Sequence, residues 1–212
     1  MTRVFQPATS FAHRNAVVGW TRRAAWLYAH GYREAAGVVV DKALEGHFQD
    51  TLFYPICFLY RHALEVTLKE LVRETEHLIR LDAACGGRAG GCERDAREVD
   101  QELEKTHSLQ SLLDRLRERL KVVADDDLAA NVINAVVEVH NLDPKGEVFR
   151  YARKQGAGDS FGQQQRFDLQ QIRERLDEAI GYLADGVGGW LDAAQDYAND
   201  YLAEMEANMP SW

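Results

Sequence analysis

The sequence predicts an all-α protein, a helical bundle of four to five main helices. Apolar residues recur at three- and four-residue spacing through several long segments, no strand-like alternation of useful length occurs, and only a few Pro and Gly clusters break the chain. A chain of 212 residues is long enough for one substantial domain, which would hide roughly 70% of its unfolded surface. Residues 1–212 are therefore read as a single helical domain. Within it, 1–20 is an irregular N-terminal segment, 83–105 a flexible or peripheral insertion, and 168–208 a long C-terminal helical region. One short and one long connection between helices make a bundle the economical packing.

After the start carrying Pro7, TRRAAWLYAHGYREAAGVVVDKALEG (21–46) reads as the first long helix. Its inner stripe is expected at Ala24, Leu27, Tyr28, Ala35, Val38, Val39 and Ala43, with Gly46 as its stop. Gly31 and Gly37 each cost about 1 kcal/mol of helix propensity relative to Ala, which points to close helix contacts there. A second helix is expected to begin near Pro55, since a first turn tolerates the missing N–H, and to run to about Asp82. Its first half, through Ile56, Leu59, Ala63, Val66 and Leu68, is apolar nearly all round and belongs at the centre of the core.

The four glycines of AACGGRAGGC (83–92) make a loop tip. The run ERDAREVDQELEK (93–105) reads as solvent-facing, a short helix or a mobile extension. In THSLQSLLDRLRERLKVVA (106–124), Thr106 or Ser108 can cap a helix carrying Leu109, Leu112, Leu113, Leu116 and Leu120. In DDDLAANVINAVVEVHNLD (125–143), Asp125, Asp126 and Asp127 offer caps at the favourable end of the helix dipole. Its apolar side is Leu128, Val132, Ile133, Val136 and Val139, and Pro144 and Gly146 end it. Residues 143–162 are loop by composition, yet Val148, Phe149 and Tyr151 are costly to leave wet, so this loop is expected to fold back on the helices. A last helical region starts at Phe167, has a weak point at DGVGG (185–189), and continues through Trp190, Leu191, Ala194, Tyr197 and Leu202.

Composition narrows the chemistry. Twenty-five Lys and Arg against thirty-four Asp and Glu give a net charge of −9, which supports solubility and argues against a protein that coats nucleic acid non-specifically. Three cysteines, Cys57, Cys85 and Cys92, are too few and too far apart for a disulfide framework, which points to a reducing cytoplasm. Cys85 and Cys92 have no second pair to complete a zinc site, so neither a metal nor a cofactor is expected. His13, Arg14 and Asn15 interrupt any apolar core of a signal peptide, and no stretch approaches the roughly eighteen apolar residues of a membrane span. GGRAGG (86–91) lacks the lysine and the preceding strand of a phosphate-cradling loop, and neither H-E-x-x-H nor G-x-S-x-G occurs.

The second helix poses the functional question. Arg61, Glu65 and Lys69 are in line at i, i+4 and i+8, and His62 shares a side with Glu65 and Lys69. On a solvated stripe such pairs contribute only about 0.2–0.5 kcal/mol each. Apolar residues flank every one of these charges, however, so some are expected to be buried, and buried ions need partners. His107, just after Thr106, reads as a capping or packing residue at a helix start. Asp143 and Arg150 bracket the Pro-Gly turn and are expected to fix the Phe-Arg-Tyr loop onto the bundle, the alternative being a ligand pocket against the second helix. Trp20, Trp26, Tyr28 and Tyr32 read as core or interface residues in preference to a base-stacking platform.

RHALEVTLKELV, followed by THSLQSLLDRL and DPKGEVFRY, resembles the HEPN-like helical superfamily over residues 50–185, particularly bacterial members whose second long helix carries an RHxLExxLK pattern. The matched positions are Arg61, His62, Glu65, Lys69, His107, Leu109, Asp143, Phe149, Arg150 and Tyr151. The resemblance implies a dimeric helical bundle, and in active members a metal-independent endoribonuclease of toxin, abortive-infection or other conflict systems. The family's usual signature is an arginine followed after four to six residues by a histidine at a dimer groove. At the matched positions the chain departs from it: His62 directly follows Arg61 and no histidine follows Arg150, and on the same helix only three residues separate Arg73 from His77.

Three readings stay open. One is a partner-binding or sensing module of a bacterial defence or toxin-related system, with a protein partner. Another is an endoribonuclease acting on RNA, in which Arg61 and His62 supply part of the proton-transfer and cationic groups, a dimer doubles the set, and Lys69 or Arg150 holds the phosphate. The third is a structural or dimerisation protein. In the first, Glu65, Lys69, His107, Asp143, Arg150 and Tyr151 line a polar groove or ligand site; in the third, the same network fixes helix register and a dimer interface. A homodimer is expected.

Overall fold

The computed structural model describes residues 16, 24–151, 153–154, 157–159 and 164–208. Of the segment 1–20 only Ala16 is described, so Trp20 and the irregular start lie outside the described residues. Helices dominate. In chain order they are α1 (Ala24–Gly46), α2 (Gln49–Ala84), α3 (Ala96–Lys105), α4 (Leu109–Val123), α5 (Ala130–Leu142), α6 (Leu169–Gly181) and α7 (Gly188–Ala207), with a π-helical segment, Tyr182–Val187, between the last two. One antiparallel pairing joins β1 (Arg153–Lys154) to β2 (Ala157–Asp159), too short to alter the all-α class.

Helix α2 is the axis of the bundle. It packs against α1, α3, α4, α6 and α7, and buries Ile56, Tyr60, Leu64, Leu68, Leu71, Val72 and Ile79 completely. It starts at Gln49, so Pro55 sits in its second turn and the helix continues through it. The inner side of α1 differs from the expected stripe. Ala29, Ala36, Val40 and Ala43 are buried, while Leu27, Tyr28 and Val38 are 46%, 62% and 67% exposed. A row of small side chains lets two helix backbones approach closely, and the bulkier residues then fall outward. Gly31 meets nothing within 4 Å of an added Cβ, so no close contact explains it; Gly188 of α7 is the tight position, where a Cβ would lie 3.3 Å from the Trp26 ring.

Counting Leu169–Ala207 as one continuous rod gives six helical rods among the described residues. The rod beyond the expected four to five is α3, built from the charged run. Asp95 caps it by accepting from the backbone N–H groups of Arg97 and Glu98 at 2.9 and 3.1 Å, and Val99 and Leu103 are buried. The glycine-rich tip does not stand away from the bundle: Ala89 is fully buried, its N–H donates to Asp82 Oδ2 at 2.8 Å, and Arg80 donates to the Arg94 carbonyl at 3.2 Å.

Capping is mixed. Ser108 caps α4 through the Ser111 N–H at 3.2 Å, whereas Thr106 closes α3 by donating to the Glu102 carbonyl at 2.7 Å. The three aspartates do not cap α5, whose N-cap is Ala129. Asp127 instead accepts from the Leu128 N–H and pairs with Arg117 of α4. Asp168 caps α6, and the DGVGG weak point falls within and just after the π-helical segment. Val148 and Phe149 are buried as expected; Tyr151 is not.

Candidate functional site

Glu65 stands midway along α2 with Arg61 one turn before it and Lys69 one turn after. Arg61 Nη1 donates to Glu65 Oε2 at 2.8 Å, and Lys69 Nζ donates to Glu65 Oε1 at 2.9 Å. His107 Nδ1 reaches the same Oε1 at 2.9 Å from the connection between α3 and α4. Burial raises the Glu65 pKa, but hydrogen bonds from Lys69, His107 and Arg61 and the charge of Lys69 outweigh it and hold the carboxyl at about 2.

Arg61 ties this carboxylate to two other parts of the chain. Its Nη2 donates to the His107 carbonyl at 2.7 Å, and its Nε donates to the Asp143 carbonyl at 3.3 Å and pairs with Asp143 Oδ2 at the same distance. Asp143 is fully buried, and its Oδ1 accepts from the Glu147 and Val148 N–H groups at 2.7 and 3.0 Å, which fixes the turn after α5. Gly146 has φ +73°, and a Cβ there would lie 2.9 Å from the guanidinium carbon of Arg61. That position needs glycine twice over, for its backbone and for its neighbour.

His62 belongs to different surroundings. Adjacent residues on a helix point about 100° apart, and His62 turns toward α1. Its ring meets the Tyr32 ring edge-on at 4.4 Å and lies parallel to Phe58 at 5.9 Å. Burial lowers its pKa; Glu65 pulls it up, and the charges of Arg61, Lys69 and Arg150 push it down further, which favours the neutral imidazole. The structure thus brings together Arg61, Glu65, Lys69, His107 and Asp143, and sends His62 to the α1 interface. Arg150 and Tyr151 lie on the outer side of the turn, exposed, with Arg150 donating to the Gly146 carbonyl and its guanidinium carbon 5.5 Å from the Tyr151 ring centre.

A second buried carboxylate was not singled out by the sequence reading. Glu76 is fully buried and meets Arg119 of α4, with Nε–Oε1 2.9 Å and Nη2–Oε2 3.0 Å, while Arg94 Nη1 lies 3.9 Å away. Glu76 follows Glu65 by about three helical turns, on the same side of α2, between Val72 and Ile79. That alignment was the available signal.

Among the described residues no group of three or more His, Cys, Asp and Glu is arranged to hold a metal ion, and no helix is long and apolar enough to cross a membrane. Compared with models of known families, with curated proteins and with solved structures, the chain matches none.

Proposed function

We propose that this protein is a HEPN-like helical module, homodimeric, that binds a protein partner or senses a signal in a bacterial defence or toxin-related system, without ribonuclease chemistry at Arg61 and His62. The observation that carries this reading is the position of Arg61: 4% exposed, with each of its three nitrogens donating to the protein. An arginine that stabilises a transition-state phosphate must present donors to the substrate. Here those donors hold a turn and a helix junction in place, and His62 packs between two aromatic rings. What the arrangement does offer a partner is the outer side of the turn, where Arg150 and Tyr151 are exposed, and the exposed imidazole of His107.

A second reading, acid–base chemistry on RNA, is favoured by one feature. The exposed His107 imidazole is oriented through Nδ1 by the buried Glu65 carboxylate, an arrangement that leaves its other nitrogen to solvent. One experiment separates the two. Purified protein incubated with varied single-stranded and transfer RNAs in chelator should leave them intact, and a tagged copy expressed beside its neighbouring genes should retain a specific protein that Arg150→Glu releases. Cleavage abolished by His107→Ala, with the fold unchanged by circular dichroism, would move the assignment to the second reading; cleavage abolished by His62→Ala would restore the adjacent pair. Light scattering of the purified chain tests the homodimer.

A further inference from the structure

The turn that Arg61 anchors sends Phe149 inward, toward a cleft between α2, α5 and α6. This cleft has a volume of about 240 Å³. Its walls include Phe53, Cys57, Val139, Phe149, Phe167 and Leu176. Phe53 stacks on Phe167 with centroids 4.7 Å apart and planes at 19°, and meets Phe149 edge-on at 6.3 Å. Among the described residues the walls are therefore apolar and aromatic, with no buried charge to satisfy. A dry apolar cavity of about 150 Å³ is enough for a benzene molecule, so this one has room for a single ring and a short tail.

The mouth decides what the tail carries. Among the described residues four charged side chains reach it: Glu138, Arg166, Asp168 and Arg175. Arg175 and Glu138 neutralise each other through two hydrogen bonds, at 2.7 and 2.9 Å. Asp168 is committed to capping α6, accepting from the Gln171 N–H at 3.1 Å. Arg166 is exposed and has no hydrogen bond or ion pair among the described residues. The charge left uncommitted at the mouth is a guanidinium, whose paired donors match a carboxylate.

We propose that the cleft between α2, α5 and α6 is a binding site for a small arylalkanoate, its ring among Phe53, Phe149 and Leu176 and its carboxylate on Arg166. The charged end stays near water while the ring is removed from it, so binding draws on apolar burial without desolvating an ion completely. This site does not depend on the assignment to a defence system. Its ligand class follows from the walls and the rim alone.

The test uses the full-length protein with 3-phenylpropionate and its uncharged amide, 3-phenylpropanamide, by calorimetry and by NMR. The acid should bind more tightly than the amide, and nuclear Overhauser contacts should run from its ring to the Phe53 and Phe149 rings. Arg166→Ala should weaken the acid about tenfold, the value of one charge-assisted hydrogen bond, and leave the amide unchanged. Ala135→Met, which adds volume at the wall, should weaken both; the contacts seen in the wild type stand as the check if that variant folds poorly. No binding of either compound at about 1 mM, equal binding of both, or ring contacts elsewhere in the protein would overturn the proposal.

Discussion

Glu65 receives three side chains at once, and its behaviour on titration follows from them. Its carboxyl titrates at about 2 in the fold against an ordinary 4.5, so its stabilisation is complete above pH 4.5 and is lost as pH falls from there toward 2. The difference corresponds to about 3 kcal/mol. Glu65→Gln should lower stability by about 3 kcal/mol at neutral pH, because Arg61 and Lys69 lose their counter-charge, and should flatten that acid window in urea titrations run at several pH values. His62 moves in the same sense for another reason. Its folded pKa is lowered, mainly by burial, so the unfolded chain binds the proton more readily, and stability falls as pH drops below the ordinary 6.5. His62→Phe, which keeps the ring contacts, should remove that slope. Gly146→Ala should destabilise by at least about 1–2 kcal/mol through its positive φ alone, read as a drop in melting temperature, with the collision against Arg61 adding to it. The alignment of Arg61, Glu65 and Lys69 was legible from their spacing. The fate of His62 was not, since it depends on where α1 lies and spacing along α2 says nothing of that.

Helices were easier to read than their faces. Helix α1 was expected to bury Leu27, Tyr28 and Val38 because they carry the apolar weight, but Ala29, Ala36, Val40 and Ala43 are the buried residues and those three face out. Periodicity counts hydrophobicity, while close helix packing selects for small size. Pro55 misled in a similar way: it suggested a start, yet α2 begins at Gln49 and tolerates one missing N–H in its second turn. The charged run at 96–105 became a helix because Asp95 caps it and two apolar residues, Val99 and Leu103, find cover. The DGVGG stretch, read as a weak point, stays helical with a π-helical turn over its first residues, and its glycines are not equivalent. Nothing lies within 4 Å of a Cβ added at Gly186, whereas at Gly188 it meets Trp26 at 3.3 Å. Gly186→Ala should therefore raise stability by about 0.5–1 kcal/mol, and Gly188→Ala should lower it; melting temperatures of the two variants, compared side by side, check both signs.

The helical class was legible from apolar periodicity because one axial helix buried on nearly all sides leaves a plain trace in the sequence. What could not be read was the way distant segments converge on that axis. Two carboxylates of α2 organise it: Glu65 gathers the α3–α4 connection through His107 and, by way of Arg61, the turn after α5, and Glu76 gathers Arg119 of α4 with Arg94 beyond the glycine-rich tip. Glu76→Gln should loosen residues 85–95 ahead of the rest of the molecule, seen as faster backbone hydrogen exchange there. The most direct measurement concerns Arg61, whose guanidinium joins α2 to both His107 and Asp143. Arg61→Met keeps most of the side-chain volume and removes the donors. If Arg61 serves as the anchor of the turn, hydrogen exchange in this variant accelerates at residues 106–108 and 143–151, including the Glu147 and Val148 amides, while the centre of α2 stays protected. Unchanged exchange across 143–151 in a folded Arg61→Met protein would show that the arginine is not what holds the turn.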